Sequence, residues 1–269
     1  MMIKFIYRNL LIYCKDISGV FFSFLGMLIS LLIYIFFLKN DLVDSLGKIP
    51  NATKIIDTWM IAGLISIVSM TSPLSAFGQK IEDKKELCLY DAIVNSRLSF
   101  SKIDASYIIT SIFEGSISTV LFSILCYLYL ALQYNFSLSV NEIGLCLLYM
   151  LILIVFSSFL FNIITFFINS ASGFASLSAI VGTLAGFLSG SYIIIGDLPK
   201  FMQSILKYWP GFDIAGLLRN ILMPIGNIPD SIIKSLGILQ GYTYLLSPCI
   251  LIFILILLKY LFNYLKKVF

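Results

Sequence analysis

The chain has 269 residues, 59% of them hydrophobic and 12% charged, with a mean hydropathy of +1.00. Soluble domains use about 45–50% apolar residues, so this composition excludes a soluble protein and reads as an integral membrane protein. There is no histidine at a net charge of +4, which excludes imidazole-based catalysis and every metal centre that requires imidazole.

The opening stretch "MMIKFIYRNLLIYCKD" puts Lys4, Arg8 and Lys15 within about 40° of one another on a helical wheel. That predicts an amphipathic helix lying along the membrane with its basic side toward lipid phosphate. Six apolar runs follow, at 20–38, 58–77, 105–131, 143–168, 174–195 and 242–262. Each reaches the roughly 20 residues that a helix rising about 1.5 Å per residue needs to cross a hydrocarbon core of about 30 Å. The first run is too long for the apolar core of a secretory signal, and the "LKNDLVD" after it lacks a small-x-small cleavage pattern, so it reads as a retained span. The third and fourth runs exceed the minimum and imply tilt or extension beyond the bilayer. The expected fold is an all-α membrane protein whose six spans form one domain over 1–269.

Lysine and arginine accumulate on the inner side of membrane proteins. Lys4, Arg8 and Lys15 before the first run, Lys80, Lys84, Lys85, Arg97 and Lys102 between the second and third, and Lys259, Lys266 and Lys267 at the end account for eleven of the eighteen basic residues. The other side has Lys39, Lys48 and Lys54 in the first loop and Lys200, Lys207, Arg219 and Lys234 in the fifth. Both termini are therefore expected in the cytoplasm, for a multi-pass protein of a bacterial cell membrane. Cys14, Cys88, Cys126, Cys146 and Cys249 all fall in spans or inner segments, so no structural disulfide is expected.

The inner connection contains "QKIEDKKELCLYDAIVNSRLSFSKID", residues 79–104, the densest group of charges in the chain. Leu87, Tyr90, Ala92, Ile93 and Val94 can form one side of an amphipathic helix here, with Lys84, Lys85, Asp91 and Asn95 on the wet side. "SKID" reads as a capping box, with Ser101 capping the third span and Asp104 at N3. Within the third run, Glu114 in "SIFEGSIS" is the one ionisable residue well inside a span. A buried carboxylate costs roughly 2.5–3.5 kcal/mol on insertion scales and usually faces a cavity or a partner. It reads either as a group of the translocation pathway or as an inner-boundary carboxylate. In the fifth run, Gly182-x-x-x-Gly186-x-x-x-Gly190 forms a close-packing stripe. Aromatics such as Phe21, Phe22, Phe36, Phe37, Tyr34 and Phe156 read mostly as lipid-facing.

This order of features resembles the permease subunits of type-2 ABC transporters, and the resemblance runs the length of the chain. "IEDKKELCLYDAIVNSRLSFSKIDASYII" is similar to the family's coupling helix and entry into the third span. Lys85 and Glu86 stand where Arg-Glu is common, Cys88 where glycine is frequent, and Arg97 follows Asn95 and Ser96 without the usual proline. "FLSGSYIIIGDLPKFMQSILKYWPGFDIAGLLRNIL" is similar to the family's short extracellular helices before the sixth span, with Gly190, Leu198, Pro199, Pro210 and Arg219 at the matching positions. Glycine and proline at these offsets break the helix and allow partial re-entry.

The resemblance implies a cytoplasmic coupling helix in which Lys84, Lys85, Glu86, Leu87, Tyr90, Asp91, Val94 and Arg97 contact an ATPase subunit. The sequence holds no phosphate-binding G-x-x-x-x-G-K-[ST] turn, since its Gly47-Lys48 pair is followed by Ile49. ATP and Mg are therefore expected on a separate ABC ATPase subunit, with no cofactor on this chain. The other expected partners are a second permease subunit, as a homodimer or heterodimer, and membrane lipids, with no nucleic acid. The expected function is export of an amphipathic or lipidic substrate (drug, peptide or glycolipid) by alternating access, each chain forming half of the pathway. A self-sufficient secondary transporter or channel would show more broken or polar spans. A membrane-embedded enzyme using Glu114 would need paired acids or a nucleophile-base set.

Overall fold

The computed structural model describes residues 2–45, 50–89, 94, 99–223 and 229–268. Among these, every regular element is helical. Helix α1 (Met2–Lys15) precedes the first span, α2 (Ile17–Ser45), and then α3 (Ala52–Lys85), α4 (Phe100–Tyr134), α5 (Val140–Phe166) and α6 (Ala171–Leu188) follow. Three short helices come next, α7 (Lys200–Leu206), α8 (Pro210–Leu222) and α9 (Asp230–Ser235), before the last span, α10 (Leu246–Val268). Among the described residues, six helices are long and apolar enough to cross a membrane, at the places the hydrophobic runs predict.

The helices outrun the apolar runs. At about 1.5 Å per residue, the 35 residues of α4 extend well past a hydrocarbon core of about 30 Å. Lys39 and Lys54, read above as loop residues, are thereby helical, in α2 and α3; Lys48 lies outside the described residues. Helix α2 starts where Asp16 Oδ1 accepts from the Gly19 N–H at 2.9 Å, an N-cap. It loosens into a π-turn over Tyr34–Leu38. In α3 the regular ladder is interrupted at Ser72 and Pro73, as expected where proline removes a backbone donor. The "SKID" capping box does not form: α4 starts two residues earlier, after Ser99, and Asp104 is engaged elsewhere. The capping box lies instead at α5, between Ser139 and Glu142.

Helix α3 is the hub. Some 83% of its apolar stretch is buried, against 11% for α2 and α6 and 6% for α10, so α2, α6 and α10 are peripheral. Helix α8, whose N1 position is Pro210, is buried along nearly its whole length against α3 and α5. Ser66 Oγ in α3 donates to Gly211 O at 2.8 Å, and Trp59 Nε1 donates to Leu236 O at 2.8 Å.

The fifth run ends early. Helix α6 stops at Leu188 because Gly190 takes φ +62, a left-handed turn open to glycine at little cost. Residues 189–194 then leave the helix. The glycine stripe is thereby divided. A Cβ at Gly186 would meet the Tyr192 ring at 2.1 Å, whereas one at Gly182 would meet nothing within 4 Å. Of the aromatics, Phe21, Phe22, Phe36 and Phe37 are exposed, but Tyr34 and Phe156 are buried. Phe156 packs edge-on against Trp209, and Tyr34 spends its hydroxyl on a buried carboxylate.

Candidate transport groove and coupling end

The end of the bundle that carries α1 gathers the last turns of α3, α5 and α10 and the first turns of α4. Two carboxylates are buried there. Asp83 accepts from both terminal nitrogens of Arg8, at 2.7 and 2.9 Å, and from the Tyr107 hydroxyl. Such bidentate pairing is the geometry guanidinium favours, and the hydrogen bond to Asp83 raises the Arg8 pKa above its ordinary value against the opposing effect of burial. Asp104 accepts from Lys80 at 2.6 Å and Asn162 at 3.0 Å and lies 3.4 Å from Lys259. The first cluster joins α1, α3 and α4; the second joins α3, α4, α5 and α10. They stand on either side of the connection between α3 and α4.

Helix α1 is amphipathic as expected, but Arg8 turns toward the protein and not toward lipid phosphate. The reason is Asp83, invisible in the helical wheel of α1 alone. The outward side of α1 exposes Ile3, Tyr7, Leu11 and Ile12. Tyr13 reaches further along the bundle, its hydroxyl 3.0 Å from Ser118 Oγ.

Of the residues expected to contact an ATPase, Lys84 and Lys85 complete α3, so they extend the second span's helix and do not begin a separate one. Lys84 Nζ donates to Asn169 Oδ1 ahead of α6, and Lys85 is exposed. Glu86 and Leu87 form a turn, with Leu87 at φ +61 and 65% exposed. A leucine in that region carries strain. Val94 is also exposed. Tyr90, Asp91 and Arg97 lie outside the described residues.

Between α2, α3 and α6 runs a groove of about 420 Å³. Its walls carry the hydroxyls of Ser23, Ser30, Thr71, Ser72, Ser75 and Ser178 among apolar side chains, and Gly182 opens it from α6. Glu114 stands behind this wall, 1% exposed. Ser75 Oγ donates to its Oε2 at 2.6 Å, while Oε1 is buried with no hydrogen-bond partner among the described residues. An unsatisfied buried carboxylate oxygen calls for a functional or structural reason. Ser72, on the same wall, bonds back to Gly115 O at 3.3 Å and lies 3.3 Å from Thr119 Oγ1.

Glu114 is not alone among buried acids. At the far end of the bundle Asp57, fully buried, accepts from Tyr34 at 2.5 Å, Tyr134 at 2.6 Å, Lys39 at 2.8 Å and Tyr129 at 2.9 Å. Arg219 is also fully buried. It donates to Gly190 O at 2.8 Å and more weakly to Ser189 O and Leu236 O, at 3.4 and 3.3 Å, and lies 4.8 Å over the Trp59 ring. It thus caps the carbonyl end of α6, the negative pole of that helix. Gly190 makes the turn it caps, Leu198 and Pro199 lead into α7, and Pro210 opens α8. Single-residue reasoning missed Asp57, Asp83 and Asp104 because each lies at or just outside an apolar run. The signal available was that Asp57 and Asp104 each stand one residue before an apolar run, close enough to be drawn into the packed bundle.

A hub helix, a hydroxyl-lined groove and a charge-knotted end define a polytopic α-helical membrane protein of the permease class. The chain matches the family model described as ABC-2 type transporter over residues 4–223, well over half its length, and it belongs to that family. No curated protein and no solved structure matches it. Membrane domains of this family bind no cofactor and do not hydrolyse ATP, and they generally pair with an ABC ATPase subunit that does.

Proposed function

We propose that the chain is one permease domain over 1–269, half of the translocation pathway of an ATP-driven exporter for an amphipathic or lipidic substrate. The observation that carries this reading is the groove between α2, α3 and α6: six hydroxyls among apolar side chains, backed by Glu114 with one carboxylate oxygen unpaired among the described residues. Such a surface solvates both ends of an amphipathic molecule. Helices α2 and α6 are barely buried by their own chain, and a second permease subunit facing them would complete the conduit. Helix α8 re-enters the membrane from the outer side, and both termini lie in the cytoplasm.

On this reading the ATPase subunit grips the connection after Lys85, through Lys84, Lys85, Glu86, Leu87, Tyr90, Asp91, Val94 and Arg97. Leu87 and Val94 are exposed apolar anchors. An anchor of this kind can contribute 2 kcal/mol or more to an interface, against about 0–1 kcal/mol for an exposed ion pair. Displacement of the grip would pass to α1 through Arg8 and to α10 through Lys259, tilting the spans in alternating access.

The test is to purify the chain with its co-expressed neighbouring reading frames, identify an ABC ATPase by its Walker A motif, and measure substrate-stimulated ATP hydrolysis and export. Leu87→Ala with Tyr90→Ala is expected to uncouple hydrolysis from export or to release the ATPase, with membrane insertion normal, while Lys84→Ala changes little. Full stimulated hydrolysis and export in the double variant would overturn the docking assignment. Glu114→Gln is expected to leave the complex assembled and alter export or substrate preference; unchanged export across several substrates would return Glu114 to a structural role.

A further inference from the structure

A second cavity lies on another side of α3, away from α2 and α6, and the transport reading makes no use of it. It is a crevice of about 330 Å³ between α4 and α5. Ile124 and Tyr127 of α4 and Leu147 of α5 form its walls, and Ile61 of α3 and Leu218 of α8 form its floor. Its rim is half-exposed on the outer surface of the bundle, Ile124 at 50% and Leu147 at 45%. The volume lies at the lower end of the 300–1,000 Å³ typical of small-ligand sites.

The surroundings select the occupant. An apolar cavity of this kind does not hold water, and leaving it empty forfeits the dispersion contacts of its lining. Both walls belong to candidate membrane spans, so in a bilayer the mouth opens onto hydrocarbon, where the molecules within reach are acyl chains.

The end of the crevice nearest the start of α3 adds a charge. Tyr127 stacks edge-on with Phe136 at 6.4 Å, and Lys54 Nζ stands 5.9 Å over the Phe136 ring and 5.9 Å over that of Tyr134. The neighbouring Lys39 is neutralised by Asp57. Lys54, by contrast, has ring faces and no carboxylate partner among the described residues. A partly exposed lysine in a helix's first turn, its ammonium over two aromatic rings with no carboxylate on it, is placed to meet a phosphate.

We infer that the crevice between α4 and α5 holds one acyl chain of a glycerophospholipid, with the lipid phosphate against Lys54. The second chain rests in the bilayer. The site lies in the leaflet opposite α1 and is separate from the transport groove, which uses other residues of α3 together with α2 and α6. It therefore stands or falls independently of the substrate.

The experiment is native mass spectrometry of the full chain in detergent, titrated with palmitoyl-oleoyl phosphatidylglycerol and, in parallel, with a diacylglycerol bearing the same chains. One lipid adduct is expected at low ratio. Ser123 of α4 also lines the crevice, and filling it with Ser123→Leu and Leu147→Trp is expected to lower its occupancy at least fivefold for both lipids. Lys54→Gln is expected to lower phosphatidylglycerol occupancy threefold or more and to leave diacylglycerol unchanged. Ile254→Trp, on exposed α10, should change neither. Wild-type occupancy in the folded double variant would overturn the proposal, as would an equal loss of both lipids with Lys54→Gln or an equal loss in the Ile254 control. Should the double variant fail to fold, Leu147→Trp alone changes only the half-exposed rim, and a loss of at least twofold is expected; no loss would overturn the site.

Discussion

The two ends of the bundle bury their carboxylates in different ways. At the α1 end, Asp83 and Asp104 are held by cations from Arg8, Lys80 and Lys259, and those side chains keep 38%, 11% and 16% of their surface exposed. At the far end, Asp57 has no exposure and is held by three phenol hydroxyls and one lysine. Arg219 there has carbonyls and an indole face in place of a carboxylate. An ion pair open to water on one side, as Arg8–Asp83 is, can part and re-form at smaller cost because solvent replaces the lost partner. A dry carboxylate with four donors has no such substitute. Lys39, 15% exposed, is about as dry as Lys80 and Lys259, so Arg8 is what sets the two ends apart: its pair at the α1 end is open enough to part, while the Asp57 knot at the far end holds its shape.

The sharpest way to break that comparison is Asp57→Ala, which strands Lys39 and three tyrosine hydroxyls in the interior. We expect a loss of about 3–5 kcal/mol, the range for breaking a buried pair, read as the unfolding midpoint of the full chain in detergent. A loss below about 1 kcal/mol would erase the distinction between the ends. Next is Asp104→Ala, which leaves Lys80 and Lys259 facing each other but near solvent. About 1–3 kcal/mol is expected, with part recovered on adding Lys80→Ala in a double-mutant cycle; full additivity would show that the pair is not coupled. Arg8→Ala should cost about 1–2 kcal/mol of stability, because buried Asp83 keeps only the Tyr107 hydroxyl while water can enter where the partly exposed guanidinium stood, and it should reduce export per ATP hydrolysed. A stability loss as large as that of Asp57→Ala would make the α1 end a lock as well. The smallest effect is expected for Leu87→Gly. Release of left-handed strain worth about 1–2 kcal/mol is offset by about 0.5–1 kcal/mol of extra chain entropy, so melting should move by no more than a degree or two while ATPase coupling falls with the lost anchor.

The spans were legible because membrane insertion depends on run length and apolarity, both local properties. The glycine stripe shows where local reading stops. Gly182, Gly186 and Gly190 are equivalent at every fourth position, yet one opens a groove, one admits the Tyr192 ring and one makes a turn. Which role each takes depends on what stands opposite. The "SKID" segment shows the same limit: Asp104 suits a capping box by spacing, but Lys80, Asn162 and Lys259 from three other helices hold it instead. Charge-assisted bonds to a buried carboxylate outweigh a cap worth about 1 kcal/mol.

The sequence by itself determined the membrane class, the number and order of the candidate spans and an amphipathic opening helix, because each follows from composition or from contiguous residues. The tertiary structure alone decided that α3 is the hub, that Arg8 turns inward to Asp83, that Arg219 caps α6 and that hydroxyls from three helices line one groove. These facts join side chains from distant parts of the chain. Their partners are chosen by helix packing in three dimensions, where a buried charge must find its donor or acceptor wherever the fold brings one.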